Sequence, residues 1–252
     1  MNSYKHSGTF GDTIYSLSAA KKLGPGEFNI CLRNVEAIAR KYGYNEKDII
    51  PDHKGRYVEK DFDLLAPLIK RQPYITNVSI YNGSPVTHDL DDFRGVWGRG
   101  VWGNFVKVYA KTFKLPEPDP LEPWLECDPI REAAVVINRT TRYYRDTPDV
   151  TETWLKLMEM ADATKNGIFV GTEQEHKKFI ADFGVEVPYR PVNDLLEMAN
   201  LIGGADLFIG NQSSAYSIAV GLGSRTILEK RPGVTDPYNE CYFDRGDLSH
   251  YF

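Results

Sequence analysis

The second half of the chain alternates strand-type and helix-type segments, and this alternation limits the possible folds more than any other feature. Ala133-Ala-Val-Val-Ile137 is an apolar run of the buried-strand kind, and Val150 to Ala161, behind Pro148, reads as a helix. Gly167-Ile-Phe-Val170 reads as a strand, and Glu173 to Phe183, stopped by Gly184, as a helix. Leu195 to Ile202 is the next helix, opened by Val192-Asn-Asp. Leu207-Phe-Ile209 is a strand, Ser214 to Leu222 a helix, and Arg225-Thr-Ile-Leu228 a final strand. Strands joined through helices run parallel, and the helices cover both faces of the sheet. Ligands of such sheets sit beyond the carboxyl ends of the strands.

The first half carries the same signals less regularly. The spacing of Ile14, Leu17 and the small residues after them predicts a helix over 12–23, ended by Gly24-Pro25-Gly26. Glu27 to Leu32 suits a strand, Asn34 to Tyr42 a helix, Asp61 to Arg71 another helix and Val78 to Tyr81 a strand before the turn at Asn82-Gly-Ser-Pro85. Leu115-Pro-Glu-Pro-Asp-Pro-Leu-Glu-Pro-Trp124 has four prolines in ten residues, the composition of a stiff connector. A length of 252 residues accommodates two small domains, so we place the boundary there, with domains at 1–120 and 121–252.

Composition excludes several classes. With 42% hydrophobic residues the chain has enough apolar surface to bury cores, and no run of 18 apolar residues suggests a membrane span. The start, Met-Asn-Ser-Tyr-Lys-His, lacks an apolar signal core, so the cytoplasm is the expected compartment. Cys31, Cys127 and Cys241 form no disulfide framework, and the five histidines show no metal-ligand spacing. A net charge of −5 disfavours a surface that coats nucleic acid. The balance is uneven, with 17 Lys and Arg against 15 Asp and Glu through residue 125, and 13 against 20 beyond it. The first half is therefore the better host for an anionic acceptor, although ordinary surface variation explains the difference equally well.

Two segments read as small-residue turns that open helices: His6-Ser-Gly-Thr-Phe-Gly-Asp12, and Gly210-Asn-Gln-Ser-Ser214 after the strand at 207–209. A helix opening presents free backbone N–H groups and the positive end of the helix dipole to anions. Gly8-Thr-Phe-Gly11 is not a dinucleotide fingerprint, since it lacks the third glycine and no clear strand precedes it. Asp12 is either a helix cap or a carboxylate projected into a cleft as a general base. Arg94-Gly-Val-Trp-Gly98 repeats at once as Arg99-Gly-Val-Trp-Gly103, which makes either a packed aromatic corner or a binding loop.

These segments also resemble a known family. Gly-Asp-x-Ile followed by a small-residue helix is similar to the acceptor-domain opening of the ADP-heptose:lipopolysaccharide heptosyltransferases. Leu195 to Gly223 is similar to their donor domain, where a helix, a strand, a small polar turn and a small-residue helix follow in that order. Phe169-Val-Gly-Thr-Glu173 falls where that family has a strand, a Gly-rich turn and an acid. The chain departs at Gln212-Ser213-Ser214, where the family has Asp-Ser/Thr-Gly, and at Ser217, where it has His. The resemblance does not extend to the middle of the first domain.

The resemblance implies the GT-B architecture, an α/β fold of two Rossmann-like domains whose parallel sheets face each other across a cleft. The first domain binds the acceptor and the second the nucleotide-sugar donor, with the C-terminal tail free to return to the first. It implies a glycosyltransferase that uses a nucleotide-sugar cosubstrate. No further cofactor and no metal are expected, because the reading finds no Asp-x-Asp pair and lets helix N-termini and arginine stand in for the cation. Asp12 is the expected base. Arg139, Arg142, Asn211, Gln212, Ser213 and Ser214 are expected at the donor diphosphate, and Gly171, Thr172 and Glu173 at its nucleoside. Arg145 reads as a solvated side chain. Gly8, Thr9, Phe10, Gly11, Arg94, Trp97, Arg99 and Trp102 are expected at the acceptor, which is either a glycan or a hydroxylated base of DNA. A non-catalytic nucleotide-sugar-binding module is the alternative outside the enzyme class.

Overall fold

A computed structural model describes residues 1–32, 59–96, 103–143, 145–230 and 241–252. The helix expected over 34–42 lies outside the described residues, as do Trp97, Arg99 and Trp102. The chain forms two compact units, Met1–Asp119 and Pro120–Phe252. Among the described residues no helix is long and apolar enough to cross a membrane.

The first unit is built on a four-stranded parallel sheet in the order β3-β2-β1-β4, from β1 (Asn2–His6), β2 (Gly26–Ile30), β3 (Ile75–Ile80) and β4 (His88–Asp89). Its helices are α1 (Phe10–Leu23), α2 (Glu59–Lys70), the one-turn α3 (Phe93–Val96) and α4 (Phe105–Thr112), whose N-terminus Asn104 caps by accepting from the Lys107 amide at 3.0 Å. A strand does precede the Gly8 turn, contrary to the sequence reading. In β1 only Tyr4 and His6 are fully buried, and Lys5 between them pairs with acidic residues. That pattern of polar letters carries no strand signal by itself; pairing with β2 and β4 makes it one.

α1 is buried from Thr13 to Ala20, more than an amphipathic surface helix would be. Its serines survive there because their hydroxyls bond back along the helix, Ser16 to the Thr13 carbonyl and Ser18 to the Tyr15 carbonyl, both at 2.7 Å. The helix packs against α4, where Tyr15 stacks on Phe105 with ring centroids 5.2 Å apart.

The second unit has a five-stranded parallel sheet in the order β6-β5-β7-β8-β9. The strands are β5 (Val135–Asn138), β6 (Gly167–Phe169), β7 (Leu207–Asn211), β8 (Thr226–Glu229) and β9 (Ser249–Tyr251). The helices are α5 (Pro148–Met160), the one-turn α6 (Ala163–Asn166), α7 (Glu173–Phe183), α8 (Leu195–Gly204) and α9 (Ser214–Gly221). One face of the sheet presents Val135, Ile137, Phe169 and Ile209 to Trp154 and Met158 of α5 and Phe179 and Phe183 of α7. β8 is not the last strand. Ser249–Tyr251 pairs with it, so these residues add a fifth strand to the second sheet.

The latter half of the proline-rich connector and the residues through Ile130 also belong to the second unit. The Trp124 and Leu125 amides both donate to the Gly221 carbonyl at 2.9 Å, and the Ile130 amide to Asn200 at 2.8 Å. The segment lies so close to the end of α8 that a Cβ on Gly204 would stand 2.1 Å from the Ile130 carbonyl oxygen. Because the obstacle is backbone, no rotamer change relieves it. Gly204→Ala is expected to cost about 1–3 kcal/mol, the usual penalty of overpacking. Urea unfolding of the variant checks this, and an unchanged midpoint would refute it.

Candidate functional site

Strand order singles out one place in each sheet. In the first unit the chain lays β2 and β3 on one side of β1 and then crosses to the other side for β4. In the second, β6 lies on one side of β5 and β7 on the other. Where the direction of growth reverses, the loops leaving adjacent strands diverge and open a crevice at their carboxyl ends. Those loops are Ser7-Gly8-Thr9 and Leu90–Asp92 in the first unit, and Arg139-Thr140 and Gln212-Ser213 in the second.

In the first unit, Thr9 is the N-cap of α1 and Asp12 is the third helical residue. Asp12 is therefore not the cap. Its Oδ2 accepts a hydrogen bond from the Arg94 guanidinium at 2.9 Å, and its side chain is 17% exposed. Thr9, Phe10 and Gly11 form a half-exposed rim beside it. Gly8 is confined: a Cβ there would lie 2.5 Å from both an Arg94 nitrogen and the His6 ring. Arg94 lies over the Phe93 ring at 4.6 Å, and its Nε is 3.7 Å from Asp91 Oδ1.

Asp91 is buried beneath. It accepts from the Ser7 amide at 3.2 Å, the Ser7 hydroxyl at 2.7 Å and the Lys5 ammonium at 2.8 Å. Burial alone would raise its pKa. The Arg94 and Lys5 cations, joined by His6 once that ring takes a proton, outweigh burial and hold the carboxyl well below the usual range. Asp89-Leu90-Asp91 is an Asp-x-Asp spacing that the sequence reading passed over. The cation it holds is Lys5, whose Nζ is also 3.0 Å from Asp89 Oδ1. Among the described residues no group of three or more His, Cys, Asp or Glu side chains is placed to hold a metal ion.

His6 organises the turn. Its Nδ1 accepts from the Gly8 amide and lies 2.9 Å from the Thr13 hydroxyl, which leaves Nε2–H to donate to the Tyr109 hydroxyl at 2.8 Å. Tyr109 in turn donates to the Asp12 carbonyl at 3.1 Å. His6 is fully buried, and the loss of solvent pushes its pKa down to about 4. Sequence reasoning took in His6 only as the first residue of the turn, with no role assigned, and did not single out Tyr109.

In the second unit the turn after β7 is tied inward. Asn211 accepts from the Thr140 amide at 2.9 Å and donates to the Thr140 carbonyl at 2.8 Å, clipping the two strand ends together. Ser213 caps α9 by accepting from the Tyr216 amide at 3.2 Å, with buried Gln212 before it and half-buried Ser214 after. Thr172 caps α7 in a reciprocal box with Glu175, directly after Gly171. Glu173 is an exposed partner of Lys177 at 2.6 Å. Arg142 is exposed beside the Tyr143 ring, 4.4 Å from its centroid.

Arg139, expected at the donor diphosphate, is buried and engaged by protein groups. Nε donates to Glu229 Oε2 at 2.7 Å, and the terminal nitrogens donate to Asp182 at 2.9 Å and to the Arg145 carbonyl at 3.0 Å. It shares the face of Val135 and Ile137, as strand alternation requires. Glu229 is completely buried and also accepts from the Trp154 indole at 2.7 Å and from the Arg145 amide. The alternate face carries Asn138, which the sequence reading overlooked; its Nδ2 donates to the Val170 carbonyl at 2.8 Å. Asn138 Oδ1 and Thr140 Oγ1 are buried and have no hydrogen-bond partner among the described residues.

No protein-family model matches this chain, and no curated protein matches it. Solved structures do. A glycosyl transferase family 9 protein from Veillonella parvula matches with a TM-score of 0.59 at 8% identity, over 99% of this chain and 84% of that one. E. coli ADP-heptose LPS heptosyltransferase II matches with 0.59 at 12% identity, over 100% and 90%. E. coli heptosyltransferase WaaC, solved with ADP, matches with 0.53 at 16% identity, over 99% and 92%. The similarity is one of fold: two units, each an α/β layer on a parallel sheet, as in GT-B glycosyltransferase structures.

Two outcomes follow from the buried groups. Glu229→Leu leaves Arg139 to the part-exposed Asp182 and strands two N–H donors, so it is expected to destabilise by about 2–5 kcal/mol in urea unfolding; a smaller loss would show the pair to be solvated. His6 has a folded pKa near 4 against an ordinary 6.5, so the unfolded chain takes up the proton first. Its contribution is complete above pH 6.5 and is lost as the pH falls toward 4, by roughly 3 kcal/mol for the one ring. His6→Gln is expected to flatten the dependence of unfolding free energy on pH across that window. An unaltered slope would assign the acid sensitivity elsewhere. The Asp91 contribution is lost only in stronger acid, below the ordinary carboxylate value of 3.8.

Proposed function

We propose that this protein is a metal-independent glycosyltransferase that moves a sugar from a nucleotide-sugar donor to a hydroxyl acceptor. The observation that carries the reading is Asp12. It is a partly exposed carboxylate at the switch point of a parallel sheet, held by hydrogen bonds to both its side chain and its backbone, in a chain whose fold is shared with sugar-transferring enzymes.

The chemistry needs a base, a place for the diphosphate and a way to stabilise its charge. The acceptor O–H loses its proton to Asp12 as the acceptor oxygen bonds to the anomeric carbon. The bond from that carbon to the diphosphate oxygen breaks, and its electron pair leaves with the nucleoside diphosphate. We place the donor at the β5–β7 switch point of the second unit. There the Ser213-capped mouth of α9 offers backbone N–H groups to the phosphates, and Arg142, on the loop after β5, supplies the cation. Arg139 supports that loop from below by holding the Arg145 carbonyl. Asn138 and Thr140 offer the buried polar atoms that a ligand would complete.

A thermal-shift panel of ADP-, UDP-, GDP-, dTDP- and CMP-sugars tests the donor. At about 100 times its dissociation constant a true donor adds roughly 2.7 kcal/mol of stability, which is a shift of several degrees. No shift with any of them would remove the donor reading. Asp12→Asn is expected to abolish transfer and leave donor affinity within a few-fold. Wild-type turnover in that variant would remove Asp12 as the base. A protein that binds a nucleotide sugar but never releases the nucleoside diphosphate would be a binding module, not an enzyme.

A further inference from the structure

We propose that Arg94 is a positioning residue for Asp12: by holding Oδ2, it leaves Oδ1 as the oxygen that takes the acceptor proton. This rests on the reading of Asp12 as the base. The sequence placed Arg94 among acceptor-binding groups, as the first residue of the duplicated Arg-Gly-Val-Trp-Gly strip. The geometry gives its guanidinium to the carboxylate, at 2.9 Å.

The two Asp12 oxygens are not equivalent. Oδ2 accepts from Arg94, whereas no hydrogen bond reaches Oδ1 among the described residues. The main chain of Asp12 is fixed separately, by its place in the first turn of α1 and by the Tyr109 hydroxyl on its carbonyl. With the backbone held, the remaining freedom of the carboxylate lies in its side-chain torsions. The Arg94 bond is what selects one setting of them.

Arg94 is itself held on three sides. Phe93 packs under the guanidinium plane at 4.6 Å, Asp91 faces its Nε at 3.7 Å, and the bare Cα of Gly8 lets the far nitrogen lie against the turn. Asp91 is in turn fixed by Ser7 and Lys5. The chain of contacts thus runs from two strand ends to one carboxylate oxygen. A lysine in this place would keep the charge and lose the planar fork that fits between ring, turn and carboxylate.

The experiment is a double-mutant cycle on release of nucleoside diphosphate from an ADP-, UDP-, GDP- or dTDP-sugar, with water as acceptor. It uses the full chain and the variants Arg94→Ala, Asp12→Asn and both together. In Arg94→Ala, kcat is expected to fall about 10²-fold with the donor KM within about threefold, the signature of a misplaced group and not of lost binding. Millimolar guanidinium should restore at least a tenth of the lost rate, and the double variant should be no slower than Asp12→Asn alone.

Three results would overturn the assignment while leaving Asp12 as the base: a wild-type rate in Arg94→Ala, a raised KM with unchanged kcat, or an equal slowing by Arg94→Ala when Asp12→Asn is already present. The last separates a positioning role from general loss of structure, because a structural defect acts whether or not the carboxylate is present. If wild-type protein releases no nucleoside diphosphate, or Asp12→Asn matches it, the base reading itself fails and this assignment falls with it.

Discussion

Parallel pairing constrains everything else in this molecule. Two parallel neighbours cannot be joined by a tight turn, so a connection between them needs a crossover, usually a helix. Each strand then ends in a loop on the same edge, and the loops part where the chain changes sides. The first unit has that divergence between β1 and β4, the second between β5 and β7. Polar side chains gather at these edges because the backbone there is no longer paired within the sheet. Asp91, Ser7 and Lys5 fill one edge; Asn211 and Thr140 stitch the other.

Much of this was legible in the residues. The apolar runs of β5, β6, β7 and β8 are buried-strand letters, and the helices between them carry their own start and stop signals in Pro148, Thr172, Gly184, Asp194 and Ser213. α1 was legible too, although it begins two residues before the expected start, and that small shift moves Asp12 from the cap position into the first turn. The elements that escaped were those whose stability is borrowed. β1 is polar on paper and β9 is three residues long; each is a strand because a neighbour offers it a ladder. α4 had an Asn cap and an apolar stripe, and was legible but overlooked.

Site residues proved harder to read than elements, and the arginines show why. Arg94 and Arg139 are both arginines near strand ends, and nothing in their immediate sequence says which way the side chain turns. Arg139 follows the parity of Val135 and Ile137 and so enters the core face, where Glu229 and Asp182 receive it. Arg94 sits on a one-turn helix, and its direction is set by Phe93, Asp91 and the space beside Gly8. Polarity marks both residues as unusual in a folded interior. It does not distinguish a group that faces a ligand from one that satisfies another buried charge.

The Arg139–Glu229 pair has a consequence for how this sequence can drift. Glu229 without Arg139 loses its counter-charge and keeps only the Trp154 and Arg145 donors, and Arg139 without Glu229 is left to the part-exposed Asp182. A well-packed apolar pair in both places is physically tolerable, but every single-step route to it passes through an intermediate whose remaining ion has lost its buried partner. Positions 139 and 229 are therefore locked together across 90 residues of chain, and a lineage is expected to keep both or exchange both.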